Sequence, residues 1–113
     1  MVTIEQVQQK LNLKVLTMGE GSTPISSAYT SDLLSDVMAN GEEGGALITI
    51  QGHKNSVAVA SLIGLNTIIL CNGRLPADDM VEAAEEESIA ILVSQENQFT
   101  VSYKLAALLG LCN

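Results

Sequence analysis

The sequence contains no tryptophan, one phenylalanine and two tyrosines, so aromatic residues make up only 3 % of the chain. Hydrophobic residues nevertheless reach 47 %, which means that the core has to be built from aliphatic side chains. Charged residues are also sparse, at 16 %. A small domain with so little charge leaves apolar surface exposed, and a homodimer is the commonest way to cover such surface. We therefore expect a globular protein that forms a homodimer.

Positively charged residues are few: the sequence has five Lys and Arg against 13 Asp and Glu, which gives a net charge of −8. Nucleic acids and anionic membranes bind clustered cations, so we exclude both as partners. The chain begins without the basic and apolar pattern of a signal peptide, and its longest apolar stretch is too short to span a bilayer. We expect a cytoplasmic protein whose residues 1–113 form a single domain.

Cysteine and histidine are too few for a metal site of any usual kind. The two cysteines, Cys71 and Cys112, lack metal-ligand spacing, and His53 is the only histidine. We expect the cysteines to be reduced thiols rather than a disulfide. The sequence therefore predicts no metal and no cofactor.

The N-terminal segment carries a local helix signal. Thr3 and Gln6 have the spacing of a capping box, which predicts a helix from Ile4 to about Leu11. A short alternating strand over 13–16 and a glycine-rich loop over 19–24 should follow.

Two less regular elements are expected next. Residues 25–29 favour an irregular strand, and apolar residues over 33–38 fall at helical spacing. Ser31 and Asp32 are candidate caps for that short helix.

From Ala46 onward the chain becomes regular. Short apolar runs begin at Ala46, Thr67 and Ile89, at intervals of 21 and 22 residues, and a helical pattern follows each run. We expect these helices over about 56–63, 77–87 and 97–109. Such βα units predict a mainly parallel sheet, because each crossover helix returns the chain to the same edge.

The carboxyl ends of parallel strands are where α/β proteins bind ligands, because loops and helix starts present backbone N–H groups there. Two of the five basic residues, Lys54 and Arg74, fall in these predicted loops, which suits a phosphate or a carboxylate. The alternative is that glycine and asparagine occur here for turn geometry and capping alone. The candidate ligand-binding residues in these loops are Gln51, Gly52, His53, Lys54, Asn55, Asn72, Gly73 and Arg74.

His53 has three interpretations from sequence. It is a general base, a ligand contact, or a loop and capping residue. Catalysis would require an orienting partner and a nucleophile, and no local motif supplies them.

Three segments resemble the DRTGG domain family, and together the resemblance covers essentially the whole chain. They are Ser26–Asn40 (SSAYTSDLLSDVMAN), Ile48–His53 with Asn55, and Ile68–Arg74 (IILCNGR). The Tyr-x-Ser-Asp-Leu-Leu-Ser stretch is the most specific part. The resemblance implies a three-layer α/β/α sandwich similar to the N-terminal domain of HPr kinase/phosphorylase. It also implies a regulatory role, since such domains occur in some phosphotransacetylases and between the CBS domains of some pyrophosphatases, where they help form dimers.

Asp32 and Ser35 lie in the most family-like segment. We therefore add both to the candidate ligand-binding residues, with a helix-start role as the alternative. At the positions that give the family its name, the sequence differs: Ser22-Thr23-Pro24 and Ser27-Ala28 replace the usual Asp-Arg pair and the Gly-Gly or Gly-Ala step. A role of that acid–base pair is therefore not carried over.

Stand-alone relatives are often labelled HPr serine kinases. Such a kinase needs a glycine-rich phosphate loop that ends in Lys and Ser or Thr, and the sequence contains none. We predict a protein that is not an enzyme and has no catalytic residues.

The sequence and the resemblance together favour a non-catalytic regulatory or sensor module. We expect it to self-associate and to bind a small anionic ligand such as an adenine nucleotide. The alternative is an adaptor or structural subunit that docks on a larger metabolic enzyme, and an HPr serine kinase-related enzyme is the third hypothesis.

Overall fold

The computed structural model describes residues 1–77 and 79–112, in which five strands form one sheet. The strands are β1 (Lys14–Thr17), β2 (Ala28–Thr30), β3 (Ala46–Thr49), β4 (Thr67–Leu70) and β5 (Ala90–Val93). Their spatial order is β1-β5-β4-β3-β2. The pairs β2–β3, β3–β4 and β4–β5 are parallel, whereas β1 pairs antiparallel with β5. The prediction of a mainly parallel sheet is confirmed.

Helices cover both faces of the sheet. They are α1 (Ile4–Lys10), α2 (Leu34–Asn40), α3 (Lys54–Ile63), α4 (Met80–Glu86) and α5 (Gln98–Leu108). Helices α1 and α5 pack on one face, and α2, α3 and α4 pack on the other. The three-layer α/β/α sandwich is confirmed.

The sequences of the central strands are almost continuous runs of apolar residues, because both faces of these strands are buried. In β3, Leu47 packs toward α2, α3 and α4, while its neighbour Ile48 packs toward α1 and α5. Ile68 and Ile69 divide between the two faces in the same way. Since successive side chains of a strand point to opposite faces, a strand covered on both sides is apolar at nearly every position.

The N-terminal helix has the predicted capping box. Thr3 Oγ1 accepts a hydrogen bond from Gln6 N at 3.2 Å, and Gln6 Oε1 accepts one from Thr3 N at 2.9 Å. The next strand begins at Lys14, one residue later than predicted.

The irregular strand predicted over 25–29 is wrong at its start, because β2 begins only at Ala28. The backbone N–H of Ile25 donates instead to Val2 O at 2.8 Å, and Pro24 forms an antiparallel bridge with Thr3. This segment is therefore held by the N-terminus before it reaches the sheet.

The predicted capping of α2 by Asp32 is wrong. The N-cap is Leu33, whose own side chain makes no capping hydrogen bond. The hydroxyl of Ser31 accepts a hydrogen bond from Leu33 N at 3.2 Å and so forms a local turn before the helix. The Asp32 carboxylate is used elsewhere, as described below.

The starts of α3 and α4 also differ from prediction. Helix α3 begins at Lys54, so Lys54 and Asn55 lie in its first turn rather than in the loop. The Ser56 hydroxyl donates to Gln51 O at 2.7 Å and so closes the loop between β3 and α3. The predicted end of α3 is confirmed, because Gly64 adopts a left-handed conformation with φ of 81°.

Helix α4 begins at Met80, three residues later than predicted. Asp78, which falls within the predicted range 77–87, lies outside the described residues. Asp79 is the N-cap, with φ of 68°.

Both cysteines are free, as predicted, with Cys71 buried and Cys112 exposed. In the part of the chain that the structure describes, none of the helices has the length and apolarity needed to cross a bilayer.

Candidate functional site at the carboxyl edge of the sheet

The loops that follow β3 and β4 are in direct contact. Ala77 N donates a hydrogen bond to Gly52 O at 2.6 Å. A Cβ atom on Gly52 would lie 3.2 Å from both Leu75 O and Pro76 Cα, which is tighter than ordinary packing. Gly52 is therefore required for a close approach of two backbones, and the two predicted ligand loops meet here.

The loop after β5 joins the same row of loops. Gly73 N donates to Ser94 O at 2.7 Å, and Asn72 N donates to Glu96 O at 2.8 Å. Asn72 and Gly73 both have positive φ, 60° and 62°, which turns the backbone amides toward the β5 loop. Three strand-to-helix loops are thus tied in series along one edge of the sheet.

Asp32 is the centre of a polar network at the β3 end of this edge. Its Oδ1 atom accepts hydrogen bonds from Thr49 Oγ1 at 2.8 Å, Ile50 N at 2.9 Å and Gln98 Nε2 at 2.9 Å. Gln51 Nε2 donates to the backbone oxygen of Asp32 at 3.0 Å. Because hydrogen bonds to a carboxylate are stronger than neutral ones, this network fixes the β2–α2 loop against β3 and α5.

The Asp32 carboxylate also influences Cys71 at the end of β4. Burial, and secondarily the charge of Asp32, raise the pKa of the Cys71 thiol to about 11. A thiol with such a pKa is protonated at neutral pH, so Cys71 is a packing residue and not a nucleophile.

The other candidate residues from sequence are distributed over this edge. His53 is the N-cap of α3, but its side chain makes no capping hydrogen bond. His53, Lys54, Asn55 and Arg74 are exposed. Ser35 is exposed in the first turn of α2 and shares no hydrogen bond with the Asp32 network among the described residues. Of the candidate residues, Asp32 and Gln51 are thus joined by a hydrogen bond, whereas Ser35 lies outside their network.

Lys54 lies in an acidic groove between α3 and α4. The groove measures about 320 Å³ and is lined by Lys54, Asp79, Glu82, Ala83 and Glu86. The three carboxylates outnumber the single ammonium group, so the groove favours cations over anions. Arg74 is consequently the better placed of the two cations predicted to meet an anionic ligand.

Sequence analysis missed the connection between β2 and α2. The Tyr29 hydroxyl lies 3.0 Å from both carboxylate oxygens of Asp36, and Asn40 Nδ2 donates to Oδ1 of Asp36 at 3.0 Å. The hydroxyl groups of Ser31 and Tyr29 lower the pKa of Asp36. The hydrogen bond to Asp36 raises the pKa of Tyr29, because it favours the protonated phenol. The only signal in the sequence was the placement of these residues within the family-like segment.

Gln98 and Thr49 were also missed as members of the site. Thr49 is fully buried in an otherwise apolar strand, and a buried hydroxyl requires a hydrogen-bond partner. That single polar position in the run from Ala46 to Ile50 was the available signal. Within residues 1–77 and 79–112, no group of three or more His, Cys, Asp or Glu side chains has the geometry of a metal site.

No protein-family model and no curated protein matches the sequence. The fold, however, is similar to a crystal structure of the CBS and DRTGG domains of the regulatory region of Clostridium perfringens pyrophosphatase, complexed with the activator diadenosine tetraphosphate. The similarity has a TM-score of 0.71 at 15 % sequence identity and covers 90 % of this chain and 45 % of that chain. The chain therefore has the DRTGG-like α/β fold that the resemblance implied, and it spans less than half of the matched chain.

Proposed function

We propose that this chain is a non-catalytic regulatory module that binds a small anionic ligand, an adenine nucleotide, at the carboxyl edge of its sheet. Its fold is shared with a regulatory region whose structure contains a nucleotide activator, diadenosine tetraphosphate. That similarity supports the class of function. Because the identity is low and only part of the matched chain is covered, the similarity shows the fold alone. The ligand and its site are our own proposal for this chain.

The contact between the loops after β3 and β4 is the observation that carries the proposal. The 2.6 Å hydrogen bond from Ala77 N to Gly52 O brings the start of α3 beside the loop of Arg74. Helix α3 has no acidic residue of its own in its first turn, and the start of a helix presents backbone N–H groups that can bind an anion. Arg74 is exposed at the same edge and makes no salt bridge with any described carboxylate.

Calorimetry with AMP, ADP, ATP, diadenosine tetraphosphate and acetyl phosphate tests this proposal. We expect saturable binding of a nucleotide that weakens in Arg74→Ala. Lys14→Ala is the matched control, because it removes the same charge from β1, which β5 separates from β4. The absence of both heat and thermal shift at millimolar nucleotide would refute the nucleotide assignment.

We further propose that the module forms a homodimer and that the ligand favours one dimer arrangement over another. Large apolar side chains on the surface support self-association, since Leu33 is 64 % exposed and Leu62 is 70 % exposed. Light scattering at tens of micromolar protein, with and without nucleotide, measures the oligomeric state. A monomeric mass under both conditions would eliminate the dimer.

An adaptor subunit is the second candidate function. Phe99 and Tyr103 form an exposed aromatic pair on α5, with ring centroids 5.7 Å apart, and aromatic residues are enriched at protein interfaces. Pull-down from native extract with the wild type and with Phe99→Ala tests this function. A metabolic enzyme retained by the wild type but not by the variant would favour the adaptor.

The proposal assigns no catalytic role to His53. A phosphotransfer assay with ATP and magnesium should show no turnover. Turnover that disappears in His53→Ala would instead support the kinase-related enzyme.

A further inference from the structure

A second cleft lies farther along the same edge, at the end of β5 between α1 and α5, and is lined by none of the residues in the loops after β3 and β4. It measures about 370 Å³, and its polar walls include Lys10, Asn12, Ser94, Gln95 and Lys104. The volume lies within the range of small-molecule sites, which span roughly 300 to 1,000 Å³.

The cleft opens into an apolar groove along α5. This groove measures about 460 Å³ and is lined by Leu11, Tyr103 and Leu108, with Lys10 and Lys104 shared between the two spaces. A ligand at this position would meet positive charge where the two spaces join and an aromatic or aliphatic wall along the groove.

The cleft concentrates the scarce positive charge of the protein. Two of the five basic residues line it, in a chain with a net charge of −8. Among the described residues that line the cleft, Glu96 is the one that carries a carboxylate, and both of its oxygens accept hydrogen bonds from Lys104 Nζ at 2.9 Å. Lys10 adds a positive charge that Glu96 does not neutralise. The groove around Lys54 has the opposite balance.

Both walls of the cleft are ordered by local hydrogen bonds. On the α1 side, Asn12 has φ of 54°, and Leu13 N donates to Gln8 O at 3.0 Å. On the α5 side, the hydroxyl of Ser94 accepts a hydrogen bond from Glu96 N at 3.0 Å. A preformed site loses less conformational entropy on binding than one that must be ordered by its ligand.

We propose that this cleft binds a phosphate monoester whose body is flat or apolar, with the phosphate between Lys10 and Lys104 and the body against Leu11, Tyr103 and Leu108. Two ammonium groups match the double negative charge of a phosphate monoester, and lysine binds phosphate as a point charge. The phosphate takes over from Glu96 as the partner of Lys104. This site goes beyond the proposed function, because it shares no residue with the loops after β3 and β4.

Phenyl phosphate is a suitable probe, and its binding can be followed by amide chemical shifts of the labelled full chain. We expect saturable shifts at Lys10, Asn12, Gln95 and Lys104, and weaker binding of inorganic phosphate and of phenol. Lys10→Ala combined with Lys104→Ala should weaken binding by about tenfold or more, because the charges that hold the phosphate are lost. Lys14→Ala is the matched control, because Lys14 is exposed but lines neither space, and it should leave the affinity unchanged.

Glu96→Gln should change the affinity for the probe in the opposite direction. It frees Lys104 and removes the charge that repels the ligand, so binding should become several-fold tighter, whereas a general loss of structure would weaken it. Lys104→Arg should retain binding, and Tyr103→Phe should resemble the wild type while Tyr103→Ala weakens binding.

Several results would refute binding in this cleft. One is the absence of saturable shifts at about 20 mM probe, another is weaker binding in Glu96→Gln, and a third is an equal loss of affinity in Lys14→Ala and in the double lysine variant. Shifts confined to Gly73 and Arg74 would also overturn it, but would support the proposed function. Thermal unfolding of each variant establishes that it is folded.

Discussion

The side-chain amide of Gln98 donates a hydrogen bond to Oδ1 of Asp32 at 2.9 Å, across 66 positions of the sequence. The contact joins the first residue of α5 to the loop between β2 and α2. Thr49 and Ile50 donate to the same oxygen, so one carboxylate atom unites three elements at the carboxyl edge.

Replacement of Asp32 should therefore destabilise the whole edge. Asp32→Ala leaves the buried Thr49 hydroxyl and two further donors without their acceptor, and we expect a loss of about 2–3 kcal/mol in the free energy of unfolding. Urea denaturation measures the change. Glu85→Ala, which removes an exposed acid from α4, should stay within about 0.5 kcal/mol of the wild type. Equal effects of the two substitutions would contradict the role of Asp32.

Gly73 and Gln95 form a second pair at this edge that a double-mutant cycle can test. Gly73 has φ of 62°, and a Cβ atom there would lie 2.5 Å from Oε1 of Gln95. Gly73→Ala should cost about 1–2 kcal/mol from the left-handed backbone, plus the cost of displacing Gln95.

In a Gln95→Ala background the steric part disappears, so the cost of Gly73→Ala should fall to the backbone part alone. Chemical denaturation of the four proteins gives the coupling energy. Identical costs in both backgrounds would show that Gln95 does not restrict this position.

The two thiols should differ sharply in reactivity. Cys112 is exposed, whereas burial and the charge of Asp32 raise the pKa of Cys71 to about 11. Titration with a disulfide reagent at neutral pH should detect Cys112 quickly and Cys71 only after unfolding. Cys112→Ser should abolish the fast phase, and its persistence would be inconsistent with a protected Cys71.

The raised pKa of Cys71 predicts that the stability of the fold depends on pH in the alkaline range. Because the pKa of Cys71 in the folded chain lies above the ordinary value of 9.0, the unfolded chain ionises first as the pH rises. This group should therefore lower stability between pH 9.0 and about 11, and not below. Cys71→Ala should remove this part of the alkaline loss in thermal unfolding measurements.

The lowered pKa of Asp36 predicts that the stability of the fold depends on pH in the acidic range. The pKa of Asp36 is lowered from 3.8, by the hydroxyl groups of Ser31 and Tyr29 first of all, so its contribution is present above pH 3.8 and is lost as the pH falls through the folded value. Tyr29→Phe removes one of these hydrogen bonds and should lower the melting temperature at neutral pH.

The difference between Tyr29→Phe and the wild type should shrink as the pH falls from 3.8 through the lowered pKa of Asp36 in the folded chain. Tyr103→Phe is the matched control, because the exposed Tyr103 hydroxyl makes no hydrogen bond to any described residue. If the difference in melting temperature does not depend on pH, the effect of Tyr29 is unrelated to the ionisation of Asp36.

Much of the fold was readable from local patterns. The capping box of Thr3 and Gln6, the strands that begin near Ala46 and Thr67, and the end of α3 at Gly64 all occur close to where they were predicted. Each depends on residues a few positions apart, so the sequence contains all the chemistry that forms it. The meeting of the strand-end loops was also predictable, because parallel strands end at one edge.

The partners of charged side chains were decided only by the tertiary structure. Asp32 was expected to cap the adjacent helix, but the packing of α5 and β3 placed three donors around it. Lys54 was expected to suit an anion, but the packing of α4 beside α3 places it in a groove that three carboxylates also line. Lys10 and Lys104 lie 94 positions apart in the sequence and line one cleft. Local periodicity places a residue on a face of its own element, whereas its charge environment depends on which elements pack beside it.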